Sequence, residues 1–153
     1  MNRAFVREVE EQVIGLPDRP VSPHPNFVTK AGLLAIETAL HRFEAAHQAA
    51  IAKGDRTAAA ADLREVRYWR ARLASAQAIE PPADTSRARF GSTVTFKRHD
   101  GREQTFRIVG EDEANPSRGT VSHASPLARA VTGRAVGETI DVAGDAAVVL
   151  KIS

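Results

Sequence analysis

The chain has 153 residues, 42% hydrophobic but only 5% aromatic, so it holds one ordinary domain or a small domain with a helical appendage, packed through small side chains. It has no cysteine, which excludes disulfides and thiolate metal sites, and no apolar run of membrane-spanning length. The formal net charge is +2, with eleven basic and eleven acidic side chains in residues 1–85 and ten against eight in 86–153, too balanced for the dense basic face of an autonomous nucleic-acid binder. The expectation is a soluble, cytoplasmic protein with a protein partner and no membrane association.

Residues 1–26 begin with a helical turn or two and carry acids where a signal peptide needs an apolar core. They end in GLPDRPVSPHPN, whose four prolines fix φ and remove backbone donors, so this piece reads as an extended arm, either disordered or docked on the protein's own helices or on a partner.

A helix is predicted from Thr29, whose hydroxyl can cap the amides of Lys30 to Gly32. Leu33, Ile36, Leu40, Phe43, His47 and Ala50 then recur at three- and four-residue steps, up to Lys53-Gly54-Asp55. A second helix from Thr57 repeats the spacing through Ala59, Asp62, Val66, Trp69, Leu73 and Ala76. Two seams joined by a tight Gly-Asp turn make an antiparallel helical hairpin, with arms of about 23 residues or roughly 35 Å. Arg64, Arg67, Arg70 and Arg72, with Tyr68 and Trp69 between them, read as a solvated basic flank with the tryptophan in the seam, or as a face for an acidic surface or nucleic acid.

Glu80 to Ala88, with Pro81-Pro82, reads as a linker. Beyond it, Val94 and Phe96 alternate with polar residues, the chain turns at His99-Asp100-Gly101-Arg102, and alternation resumes through Phe106 and Ile108, which is a β-hairpin. The acidic run Glu111-Asp112-Glu113 lies in the next loop and reads as solvated, with metal binding as the sharper reading. A short strand at Thr120 to Ser122 precedes Ser125-Pro126, a helix start, and the apolar run that Gly133 stops. Gly137 to Val142 and Ala146 to Ile152 are two more strands, with the turn at Gly144-Asp145. Strands with one short helix predict an α+β domain built on an antiparallel sheet. The five histidines (His24, His41, His47, His99 and His123) lack zinc-site spacing, and no serine sits in a nucleophile elbow, so neither a metal, a cofactor nor stand-alone catalysis is expected.

FGSTVTF followed by FRIVGEDEANPSRGTVSHASPLARAVTGRAVGE, above all Arg107-Ile108-Val109-Gly110, Asp112-Glu113-Ala114 and Ser125-Pro126-Leu127-Ala128-Arg129-Ala130, resembles the C-terminal domain of the GreA/GreB transcript-cleavage factors. The resemblance is close over about residues 88–152. It is weaker over about 27–79, where FVTKAGLLAIETAL and LASAQAI resemble the start and end of that family's N-terminal coiled coil, with both arms shortened by similar amounts.

The resemblance implies an α+β chain of four parts: a proline-rich arm (1–28), a coiled-coil hairpin (29–79), a linker (80–88) and an FKBP-like antiparallel β domain with one short helix (89–153), without prolyl isomerase activity. As partner it implies bacterial RNA polymerase at the rim of its secondary channel, gripped through Ser125, Pro126 and Arg129, with nucleic acid contacted only indirectly inside the elongation complex. The family's hairpin tip carries a pattern like Gly-Asp-x-x-Glu-Asn, whose acids help hold a metal ion in the polymerase active site. This chain reads Gly54-Asp55-Arg56-Thr57-Ala58-Ala59, so only Asp55 matches and the Glu and Asn positions are alanine. The expectation is therefore a Gre-type elongation regulator that is not itself an enzyme and is weak or inactive in transcript cleavage. The alternatives are a cleavage-competent Gre factor and a nucleoside-diphosphate-kinase regulator with a similar C-terminal domain.

Overall fold

The structure, a computed structural model, describes residues 17–153. The helical turns expected at the start of the chain lie outside the described residues. The described chain forms two compact units, one of residues 17–23 and 34–75, the other of 24–33 and 76–153.

The first unit is the helical hairpin. Helix α1 runs Lys30–Lys53 and α2 runs Arg56–Ser75. Ile36, Leu40 and Ala50 of α1 are buried with Ala59 and Val66 of α2, so apolar residues repeating once per turn do form the seam. Phe43, Trp69 and Leu73 are half-buried along it. His47, also half-buried, places Nδ1 2.8 Å from the Ala59 carbonyl oxygen, which gives the polar atom of a seam residue a partner. Between the helices Gly54 takes φ +70°, a left-handed conformation that glycine adopts without a Cβ clash.

The reading of α2's arginines as a solvated flank holds for Arg67 and Arg70, which are exposed, and is corrected at Arg72. Arg72 is 1% exposed, Arg70 Nη2 lies 3.2 Å from Glu44 Oε1, and Arg64 and Arg67 hold residues 17 and 18 of the arm. The arm returns along α2 and supplies acceptors to Arg64 and Arg67.

In the second unit, β1 (Phe27–Val28) pairs in parallel with β2 (Gln77–Ala78). The main sheet has five strands: β3 (Thr93–Arg98), β4 (Glu103–Val109), β5 (Thr120–Ser122), β6 (Thr139–Val142) and β7 (Asp145–Ile152), in the order β5-β4-β3-β7-β6. Helix α3 is Pro126–Val131. Alternate residues of the strands (Val94, Phe96, Ile108, Ile140, Ala147, Val149) form one core with Ala128 and Val131 of α3, the period-two arrangement read from the sequence. Ala88, at the end of the linker stretch, is buried in this core and bonded through its backbone to Gly133 and Arg134.

The α+β architecture agrees with expectation, and one pairing corrects it. Strand β5 runs parallel to β4, with Arg107 opposite Thr120 and Val109 opposite Ser122, so the sheet is mixed rather than antiparallel. The reason is the connection: residues 110–119, including a 3₁₀ turn at Pro116–Arg118, carry the chain back beside Arg107, in the second half of β4, before β5 begins. The last hairpin turns one residue earlier than expected. Ala143 (φ 53°) and Gly144 (φ 87°) form it, and Asp145 already pairs with Val142. At the first hairpin, Arg102 N–H donates to Asp100 Oδ1 at 3.0 Å, and that backbone bond holds the exposed Asp100 carboxyl below its ordinary pKa.

Candidate functional site

Ser125, Pro126 and Arg129 sit at the start of α3, in the second unit. Ser125 is extended (φ −67°, ψ 154°), which lets its hydroxyl turn back and accept from Ala128 N–H at 3.2 Å. Pro126 follows at the first helical position, where no amide hydrogen is needed, and is exposed. Ala128 and Val131 of the same short helix face the core, so the opposite side, with Pro126 and Arg129, faces outward. The loop before it is held by its own backbone: Ser125 N–H donates to the Ser122 carbonyl at 2.9 Å, and Ser122 Oγ accepts from Ala124 N–H at 3.1 Å. The loop, tied by these bonds, therefore presents an exposed proline and arginine, an arrangement suited to contacting a protein.

His123, in that same loop, has no zinc-site spacing to any other histidine. In the structure its ring packs 5.3 Å from Phe27 and 5.7 Å from Phe90, themselves 5.9 Å apart, while its backbone N–H donates to the Val109 carbonyl at 2.9 Å. The loop's position thus rests on an aromatic cluster drawn from three distant parts of the chain. No local pattern marks it.

The acidic run is also different from a solvated loop. Glu113 Oε2 accepts from Thr29 N–H at 3.0 Å and from Gly110 N–H at 3.2 Å, and its Oε1 accepts from the Thr29 hydroxyl. Its carboxylate is committed to fixing backbone. Among the described residues no group of three or more His, Asp or Glu side chains is placed to hold a metal ion. No helix among them is long and apolar enough to cross a membrane.

Asp55 lies in the first unit, at the hairpin turn. Its Oδ1 accepts from Ala58 N–H at 3.0 Å and its carbonyl from Ala59 N–H at 3.0 Å, so it is the N-cap of α2. The residues beside it are Arg56, Ala58 and Ala59, and none brings a second carboxylate to the turn.

The family model described as "Transcription elongation factor, GreA/GreB, C-term" matches residues 83–153. The chain is 48% identical over 62 residues to transcription elongation factor GreA of Hyphomonas neptunium, covering 40% of this chain and 40% of that protein. It is 43% identical over 70 residues to GreB of Pseudomonas aeruginosa, covering 45% and 42%. The chain thus spans under half the length of these curated relatives. Among solved structures it is similar to the GreA/GreB elongation factor of Nitrosomonas europaea, at 19% identity and a TM-score of 0.40 over 84% of this chain and 98% of that one. It is likewise similar to GreA factor homolog 1 of Thermus thermophilus, at 21% identity and a TM-score of 0.39 over 85% and 99%. Residues 83–153, which include the Ser125-Pro126 cap, are similar to the GreA/GreB C-terminal domain.

Proposed function

We propose that this protein is a transcription regulator that binds bacterial RNA polymerase at the rim of the secondary channel, using Ser125, Pro126 and Arg129, and that it stimulates transcript cleavage weakly or not at all. It acts without a cofactor of its own and is not an enzyme. The division of labour follows the four stretches of the sequence: arm 1–28, hairpin 29–79, linker 80–88 and docking domain 89–153.

The observation that carries the binding-only reading is the bond from Ala58 N–H to Asp55 Oδ1. Metal-assisted hydrolysis needs carboxylates that can hold a divalent ion and orient water, because hard cations take oxygen ligands. At this turn one carboxylate is present, it is engaged in capping α2, and Arg56 places a positive charge next to it. The alanines at positions 58 and 59 offer the ion nothing.

The test adds the 153-residue chain to backtracked elongation complexes and follows shortening of a labelled transcript, alongside a pull-down with core polymerase. Retention on the polymerase with little cleavage is expected. Robust cleavage that disappears in Asp55→Ala would restore a cleavage factor, and failure to bind the polymerase would remove the reading altogether.

A further inference from the structure

Residues 17–19 lie along α2 beside Tyr68 and Trp69, within the first unit. Arg64 Nε donates to the Pro17 carbonyl at 2.7 Å. One residue on, Arg67 donates to Asp18 Oδ1 through both Nε and Nη2 at 2.8 Å. Then Arg19 Nη1 reaches Glu65 Oε2 at 2.7 Å while its guanidinium stacks over the Tyr68 ring, 3.7 Å from the centroid, and lies 5.7 Å from the Trp69 ring. Tyr68 and Trp69 meet edge to face at 5.0 Å, so Arg19 caps a two-ring platform.

Three successive residues therefore each have a polar partner on α2, and no apolar side chain of 17–19 is buried there. The pairs are open to water: Arg67 and Asp18 are 47% and 62% exposed at their side chains, Arg19 and Glu65 33% and 23%. Ion pairs at such exposure are individually weak and screened by salt, whose Debye length falls from about 10 Å at 0.1 M to about 3 Å at 1 M. What holds the segment down is its tether. Pro20, Pro23 and Pro25 limit the conformations of the connecting chain, so the segment stays at high effective concentration over α2 and weak contacts suffice.

We infer that residues 17–19 are a salt-releasable strap, closed over the Tyr68 and Trp69 face of α2 at low ionic strength and lifted from it at high. Lifting leaves the buried Ile36, Leu40 and Val66 of the seam in place and widens access to Trp69, which the seam only half-covers. It uncovers Arg64, Arg67 and the two rings together, turning a neutralised surface into a cationic and aromatic one. The device is independent of polymerase binding.

The 153-residue chain reports on this directly, since Trp69 is its single tryptophan. Acrylamide quenching of Trp69 emission is measured from low salt to 0.5 M NaCl, with helical circular dichroism recorded on the same samples. The quenching constant of the wild type is expected to rise about twofold with salt at constant helicity, as screening removes the pairs. Asp18→Ala/Arg19→Ala should show the high value at every salt concentration. Exchanging the charges, Asp18→Arg with Arg67→Asp, should return a salt-dependent closed state, and Arg70→Ala, which breaks the separate pair with Glu44, should behave as wild type. A wild-type quenching constant that does not change with salt, a change that accompanies loss of helicity, or a salt response that persists in Asp18→Ala/Arg19→Ala would overturn the strap.

Discussion

Glu113 accepts hydrogen bonds from both the backbone N–H of Thr29, at 3.0 Å, and the Thr29 hydroxyl, across 84 positions of sequence. Thr29 Oγ1 in turn accepts from Gly32 N–H at 3.0 Å. In a capping box the residue three after the N-cap is a Glu or Gln that reaches back to the N-cap amide. Here that position is Gly32, and the carboxylate arrives from a distant loop instead. A Cβ built on Gly32 would lie 2.0 Å from Glu113 Oε2, so the missing side chain is the space the carboxylate occupies.

This arrangement makes the sign of one substitution depend on another. Glu113→Ala leaves part-buried donors unpaired and is expected to cost about 1–3 kcal/mol, read by calorimetry. Gly32→Ala in the wild type should also destabilise, by displacing the carboxylate. In the Glu113→Ala background the same Gly32→Ala should stabilise, by up to about 1 kcal/mol, because only the helix-propensity gain remains. Additive effects would mean that the two residues do not share the site.

Asp55 should behave as a cap. Asp55→Ala is expected to lower the hairpin's thermal midpoint, at a cost of about 0.5–2 kcal/mol, while Asp55→Asn should stay close to wild type because asparagine caps equally well. Equal loss in both would point to the charge rather than to the hydrogen bond.

Ser125 combines a cap with a proposed contact, and two substitutions separate them. Ser125→Asp keeps a capping oxygen and should preserve the thermal midpoint, but it places a charge on the proposed interface and should weaken polymerase binding. Ser125→Ala should cost about 0.5–2 kcal/mol of stability with a smaller effect on binding. Unchanged binding in Ser125→Asp and in Pro126→Ala would remove the pair from the interface.

The seam predicts a contrast within one helix. Leu40 is 7% exposed and Leu34 63% exposed. Leu40→Ala should cost about 2–5 kcal/mol through lost burial and the cavity left behind, and should alter Trp69 emission. Leu34→Ala should stay within about 0.5 kcal/mol of wild type.

The sequence alone determined what depends on neighbours a few residues apart. Leucine, isoleucine and alanine repeating once per turn place the seam of α1 and α2, alternation around Gly101 places the first β-hairpin, and Ser125-Pro126 places the start of α3, because periodicity and capping act through contacts within one or two turns. Asp55 was legible as a turn residue for the same reason. The tertiary structure alone decided the fate of polar groups whose partners are remote: Glu113 on Thr29, Arg64 and Arg67 on the arm, His123 between two phenylalanines, and Arg72 in the interior. It also decided the parallel direction of β5, which follows from the path of residues 110–119. A charged side chain is equally compatible with solvent and with a distant partner as far as its local sequence is concerned. Only the folded chain sets which backbone donors would otherwise be buried unpaired, and so which of those charges must turn inward.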